Sequence, residues 1–189
     1  MFLLSTHPYW LIRNLVSETS DISFLFFSFY KYIPQSLDDS RITVKVSREE
    51  FLDELFMIHL IDAAPNLHEL SMHSNVVLED GETRHIPMID MSTPARAHLE
   101  KLEPYLDEVL KKQIHWFSSG RSFHGYGCEL LSEEKWRRLM GTLLLSNQKE
   151  MKPTVDPRWI GHRLIAGFSA LRWTRNTDNY WSAPSSLKD

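Results

Sequence analysis

The sequence has 189 residues, enough to bury a substantial core, and its 42% apolar and 24% charged content excludes both a disordered chain and a membrane-embedded one. Cys128 is the only cysteine, so an intrachain disulfide and a thiolate metal cage are excluded and a reducing cytoplasm is the expected compartment. The net charge of -4 is unevenly distributed: residues 1–110 hold 8 Lys/Arg against 18 Asp/Glu, whereas residues 111–175 hold 12 against 5, as a phosphate-binding face on an otherwise acidic protein would require.

In chain order, Met1–Val16 is apolar but broken by His7 and Arg13, and reads as a short helix. Ile22–Ile33 is a run of aromatic and β-branched residues, hence a strand, and is too short to span a membrane. Arg41–Val46 alternates with period two and predicts a second strand, a hairpin partner of the first. Ser47 and Glu50 form a capping box, predicting a helix over 48–62 that Pro65 ends. Asn75–Glu79 and Arg84–Met91 flank the turn Glu79-Asp80-Gly81-Glu82 and predict a hairpin. Ser92-Thr-Pro94 opens a predicted helix that continues over 95–114. His115–Cys128 reads as strand, Ser/Gly turn and strand, and Ser132 caps a helix running to about Ser146. In 156–173, Ile160, Leu164, Phe168 and Leu171 fall near helical spacing before an extended 170–174. The fold class expected is α+β, mixed or antiparallel sheets flanked by helices, in one domain over 1–189 with an α/β portion at 1–83 and a motif-bearing core at 84–175.

Three constellations carry chemistry. Asp90 ends an apolar strand; it either caps the helix near Pro94 or offers a carboxylate to a metal at a solvent-accessible edge. Ser119-Gly-Arg121-Ser122-Phe-His124 joins a turn rich in free amides to a strand, and Ser122 and His124, two apart, share a face. A hydroxyl, an imidazole and a guanidinium together make a phosphate clamp; the plainer reading is a hairpin with a core histidine. Asp156, followed by Arg163 and Arg172, either joins a metal and triphosphate site or opens a surface helix. His68 and His73 are five apart rather than four, which places them on the wrong faces for a zinc-protease helix, and no Walker, Rossmann or nucleophile-elbow motif is present.

The order and spacing of Ile89-Asp90-Met91-Ser92, Ser119–His124 and Val155-Asp156 with Arg163 and Arg172 resemble the archaeo-eukaryotic primase superfamily, which includes the primase-polymerases. The resemblance spans roughly residues 84–175. It implies a primase-polymerase core with an RRM-like half, in which Asp90 and Asp156 are catalytic acids and ligands for Mg²⁺ or Mn²⁺. It implies also that Ser119, Arg121, Ser122, His124, Arg163 and Arg172 hold a nucleotide triphosphate.

The activity implied is metal-dependent nucleotidyl transfer, DNA or RNA primer synthesis or extension, on single-stranded or primer-template nucleic acid. Trp116, Tyr126 and Trp173 are the candidate stacking surfaces. The sequence departs from the family pattern at Ser92, where a second acid is usual. Glu79 or Asp80 substitutes for it, one metal suffices, or the protein binds without catalysis as a nucleotide-sensing or scaffold module with partner proteins. No membrane association is expected.

Overall fold

The computed structural model describes residues 3–187. Its elements are α1 (Pro8–Glu18), β1 (Ile22–Tyr30), β2 (Arg41–Ser47), α2 (Arg48–Leu52), α3 (Glu54–Asp62), β3 (Glu69–Leu78), β4 (Thr83–His85), β5 (Met88–Asp90), α4 (Ala97–Leu102), a 3₁₀ turn (Glu103–Tyr105), α5 (Glu108–Gln113), β6 (His115–Ser118), β7 (Phe123–Tyr126), α6 (Glu133–Leu145), α7 (Pro157–Ala166), β8 (Ala170–Arg172) and β9 (Ser185–Ser186). The class is α+β with antiparallel sheets flanked by helices, as the sequence predicts. Among the described residues no helix is long and apolar enough to cross a membrane.

The first sheet runs β2-β1-β3-β4, with β8 pairing the early part of β3 while β4 pairs its later part. The predicted β1–β2 hairpin is present in full register from Phe24↔Ser47 to Tyr30↔Arg41. Tyr9, Phe27, Phe51 and Trp173 meet edge-on or stacked beneath this sheet and are buried, so the aromatic run of β1 forms the centre of the larger apolar cluster. The second sheet, β5-β7-β6-β9, packs its own cluster around Trp136, Met140, Leu143 and Ile160 of α6 and α7.

Several expectations change in detail. The helix over 48–62 is two helices, because Asp53 ends α2 and its side chain caps α3 by accepting from the Leu55 amide. The capping box at Ser47 forms as expected, through Glu50 N to Ser47 Oγ at 3.2 Å and Ser47 N to Glu50 Oε2 at 2.8 Å. The hairpin strand begins at Glu69 rather than Asn75, so the stretch containing His68 and His73 is largely strand, not helix. The segment 84–91 is divided between two sheets: β4 pairs with β3, whereas β5 leaves it after Pro87 to pair with β7. The helix over 95–114 is interrupted at Pro104, which lacks the N–H a continuous helix needs. In the last helix, Gly167 adopts φ +79° and stops α7, so Phe168 and Leu171 lie beyond it and Leu164 is exposed.

Candidate nucleotide and metal site

The site is built where β5 ends. Asp90 stands directly opposite His124 in the β5–β7 ladder. On its other side β5 is joined by the extended segment before α7: Met91 bridges Val155, Ser92 N donates to Thr154 O at 3.1 Å, and Asp156 N donates to Asp90 O at 3.0 Å. Two chain segments distant in sequence are therefore held in register with the same short strand. Asn147, just beyond α6, clamps this segment by accepting from the amides of Thr154 at 2.7 Å and Val155 at 3.0 Å and donating to Val155 O at 3.0 Å.

Asp90, Asp156, Ser119, Arg121, Ser122, His124, Arg163 and Arg172 all line one open cavity of about 290 Å³. The three constellations seen in the sequence thus converge. Ser122 Oγ donates to Asp90 Oδ1 at 3.3 Å, and His124 Nε2 lies 3.7 Å from the same oxygen. That second distance exceeds a hydrogen bond. Burial, and then the Arg172 charge, push the His124 imidazole well below its ordinary range, so it is neutral near pH 7 and the contact is not an ion pair. The Asp90 carboxyl is raised to about 7, first by burial and then by the nearby Asp156 charge, with the Ser122 hydroxyl opposing. Asp156 Oδ1 also caps α7, accepting from Arg158 N at 2.8 Å and Trp159 N at 3.1 Å. The same carboxylate both caps the helix and lines the cavity.

The cationic wall is more committed than the sequence implies. Arg172 is buried over the Tyr180 ring at 3.9 Å and donates to Ser119 O at 2.6 Å and to Thr174 O. Arg163 is buried and donates to Asp39. Arg121 is exposed at the rim, with Nη1 donating to Asn179 O at 3.0 Å. Ser119 spends its hydroxyl on Ser122 O and Oγ, each at 3.0 Å, and so shapes the turn. His124 Nδ1, Arg163 Nη1 and Arg172 Nε are buried without a hydrogen-bond partner in the protein. Such orphans are rare in native interiors, and here three of them belong to side chains lining one cavity.

Ser92 lines the cavity, yet its hydroxyl donates to Pro153 O and, at 3.4 Å, to Thr154 O. It therefore ties β5 to the Asp156 segment. Glu79 and Asp80 do not replace the missing acid: both are exposed in the β3–β4 turn and neither lines the cavity. Tyr126 and Trp173 are buried, so neither is a stacking surface for a base; Trp173 Nε1 donates to Tyr126 OH at 3.2 Å in the core. Residues that sequence reasoning misses also face the cavity, notably Asp39, Arg41 and Tyr180. Asp39 sits in the connection between β1 and β2 and Arg41 opens β2, and only tertiary packing brings Asp39 to Arg163, 124 positions away.

One other constellation has the residue types of a nucleophilic triad. Ser74 Oγ lies 3.1 Å from His85 Nδ1, and His85 Nε2 lies 2.8 Å from Glu133 Oε2. Ser74 and His85 are fully buried, and the serine oxygen already accepts from Ser169 N at 2.8 Å, so the group pins β3, β4 and α6 together and meets no substrate.

Among the described residues no group of three or more His, Cys, Asp or Glu side chains is arranged to hold a metal. Two carboxylates on one cavity nevertheless match the way Mg²⁺ is commonly held, by one or two carboxylates together with substrate phosphates and water rather than by a protein cage. Comparison with curated proteins and with solved structures gives no match. The family model described as archaeo-eukaryotic primase 1D-like matches residues 48–185, well over half of the chain and all three constellations, and the chain belongs to that family.

Proposed function

We propose that the cavity binds a nucleoside triphosphate together with Mg²⁺ or Mn²⁺ and supports nucleotidyl transfer to a nucleic-acid 3′-hydroxyl. The observation that carries this reading is the convergence of an acidic end, Asp90 and Asp156, and a cationic end, Arg163 and Arg172, on one cavity with buried N–H and ring-nitrogen groups that lack partners.

The acids hold the cation, which when bound supplies charge neutralisation and polarises the attacking hydroxyl. Ser122 and His124 face the phosphates, the neutral imidazole donating one hydrogen bond without adding a charge beside Arg172. Arg163 and Arg172 balance the phosphate charge, and Arg121 lies at the rim on the path of an entering strand. The hydroxyl oxygen bonds to the α-phosphorus, the bond to the β-phosphate breaks, pyrophosphate departs and the hydroxyl proton passes to water.

A second reading is favoured by Ser92, whose hydroxyl is engaged with backbone where the family pattern has an acid: the same pocket then binds a nucleotide without turning it over, as a sensing or scaffold module. Primer extension and de novo synthesis with Mn²⁺ and all nucleotides separate the two. The variant of choice is Asp156→Asn, because asparagine keeps the helix cap and removes only the charge. Wild-type activity lost in Asp156→Asn supports transfer. Inactivity of both proteins with intact triphosphate binding supports the module. Absence of triphosphate binding altogether removes both.

A further inference from the structure

Asp39 lies in the connection between β1 and β2, outside the stretch matched by the family model, and it is an acid at the cationic end of the cavity. Arg41 Nε reaches Asp39 Oδ2 at 2.9 Å and its Nη2 reaches Oδ1 at 3.0 Å, while Arg163 donates to Oδ2 from the other side. One carboxylate thus sits in the fork of two guanidiniums, an arrangement that suits a phosphate equally well or better, since a phosphate offers three oxygens and more charge.

Arg41 keeps other partners without Asp39, and Arg163 is enclosed by the fold with its guanidinium 5.7 Å from the Phe168 ring centroid. Arg41 Nη1 donates downward to Ser28 Oγ at 3.0 Å and Ser71 Oγ at 2.7 Å, and its guanidinium lies 4.5 Å above the Tyr30 ring. His73 Nε2, 2.8 Å from Ser28 Oγ, completes that buried network. Arg163 is only 2% exposed and still carries an unpartnered Nη1. By contrast the segment bearing Asp39 is mostly exposed and is tied down at Ser36, whose carbonyl accepts from Arg158 Nη2 at 2.6 Å. Burial and then the Arg41 charge lower the Arg163 guanidinium to about 10, so it stays charged near pH 7 and an anion between the two arginines offsets their repulsion.

We propose that Arg41 and Arg163 form a phosphate subsite which Asp39 occupies in the ligand-free protein, so that the 31–40 segment is an internal competitor displaced by the terminal phosphates of a polyphosphate ligand. The proposal rests on the reading of the cavity as a triphosphate site and adds to it both Arg41 and a built-in gate. Displacement moves Asp39 outward and exchanges one anion for another between fixed cations.

The test is calorimetric titration with inorganic tripolyphosphate, and separately with a nucleoside triphosphate, of wild type, Asp39→Ala, Asp39→Asn and Asp39→Ala/Arg41→Gln, each verified as folded by circular dichroism. Removing a resident competitor raises apparent affinity by the reciprocal of the open fraction, so both Asp39 variants are expected to bind tripolyphosphate about tenfold more tightly, with the gain lost in the double variant. Tripolyphosphate should also speed tryptic cleavage of the wild type at Lys31. Unchanged or weaker binding by folded Asp39 variants, with nucleoside triphosphate still bound by the wild type, overturns the proposal and leaves the triphosphate reading standing. Failure of every variant to bind either ligand overturns both.

Discussion

Asp90 and His124 face each other across the β5–β7 ladder with His124 Nε2 3.7 Å from Asp90 Oδ1, and the imidazole of this pair is neutral while the carboxyl is held near pH 7. Burial drives both groups away from their charged forms, which in the ligand-free protein is the cheaper state. A cation at Asp90 and Asp156, as proposed above, would reverse that preference for the acid.

The first prediction concerns stability against pH. Burial and Asp156 raise Asp90 from the ordinary carboxylate value to about 7 in the folded protein, so the native state binds the proton more tightly than the unfolded chain. The stabilisation is fully present below about pH 4 and is lost as pH rises through about 7. With Asp90 22% exposed, the loss is roughly 2–4 kcal/mol. Chemical denaturation in EDTA should show wild-type stability falling between pH 4 and 8 more steeply than that of Asp90→Asn, and Mn²⁺ at pH 8 should stabilise only the wild type. Parallel pH profiles for the two proteins would remove the assignment.

Ser92→Asp should act in two opposite ways. The serine donates to the carbonyls of Pro153 and Thr154, whereas a carboxylate only accepts and would face those same oxygens. In EDTA the variant should be roughly 1–3 kcal/mol less stable than wild type. Because residue 92 lines the cavity beside Asp90, Mn²⁺ should recover more stability in the variant than it adds to wild type. A thermal-shift titration measures both effects, and a variant unresponsive to Mn²⁺ would show that this position does not reach the metal.

The site's acids and the Ser-x-His strand are legible in sequence because each lies on or beside a short element whose register fixes it: Asp90 ends β5, Ser122 and His124 follow strand alternation, and Asp156 caps a helix. The cationic wall is legible only in part: Arg121, Arg163 and Arg172 are read from the motifs and line the cavity, whereas Asp39 and Arg41 are not. Asp39 and Arg41 precede the recognisable motifs by many residues, and their partner Arg163 is reached only when β2 and α7 pack at one end of the cavity. The missed half of β3 has a similar cause. The sequence reading starts the strand at Asn75 and leaves out Glu69, Ser71 and His73, yet Glu69 is buried in it and satisfied by Thr174 Oγ1, the amides of Asn176 and Thr177, and Thr177 Oγ1, all more than a hundred positions away. Satisfaction of a buried polar group is a tertiary fact, and local alternation does not announce it.

Asn147 is predicted to be a positioning residue for Asp156. Its side chain makes three hydrogen bonds to the 154–155 backbone and touches neither acid directly. Asn147→Ala leaves two amides and one carbonyl without those partners, at a cost of roughly 2–3 kcal/mol. Hydrogen exchange should rise at residues 153–157 while β7 keeps its protection, and the metal-dependent stabilisation should weaken more than triphosphate binding through Ser122 and His124. Uniformly faster exchange across both sheets would instead indicate a general packing role.

Gly120→Ala tests how the C-terminal arm is seated against the Ser119–Ser122 turn. Gly120 has φ +87°, a region that strains any residue with a Cβ, and the added carbon would lie 2.8 Å from Ser182 Oγ and 3.0 Å from Ser182 N. Backbone at Ser182 does not yield as a flexible side-chain end does, so the arm itself must shift. That arm carries Tyr180, which packs on Arg172 and meets Tyr30 OH at 3.3 Å, and it is also held by Arg121 through Asn179 O. The variant should lose roughly 1–3 kcal/mol of stability and be cut faster by trypsin at Arg175, with nucleotide affinity falling as Arg172 loses its aromatic cover. Unchanged proteolysis at Arg175 would mean that the arm rests on β9 pairing alone, through Phe117↔Ser186 and Ser118↔Ser185, and that the turn does not hold Tyr180 in the cavity wall.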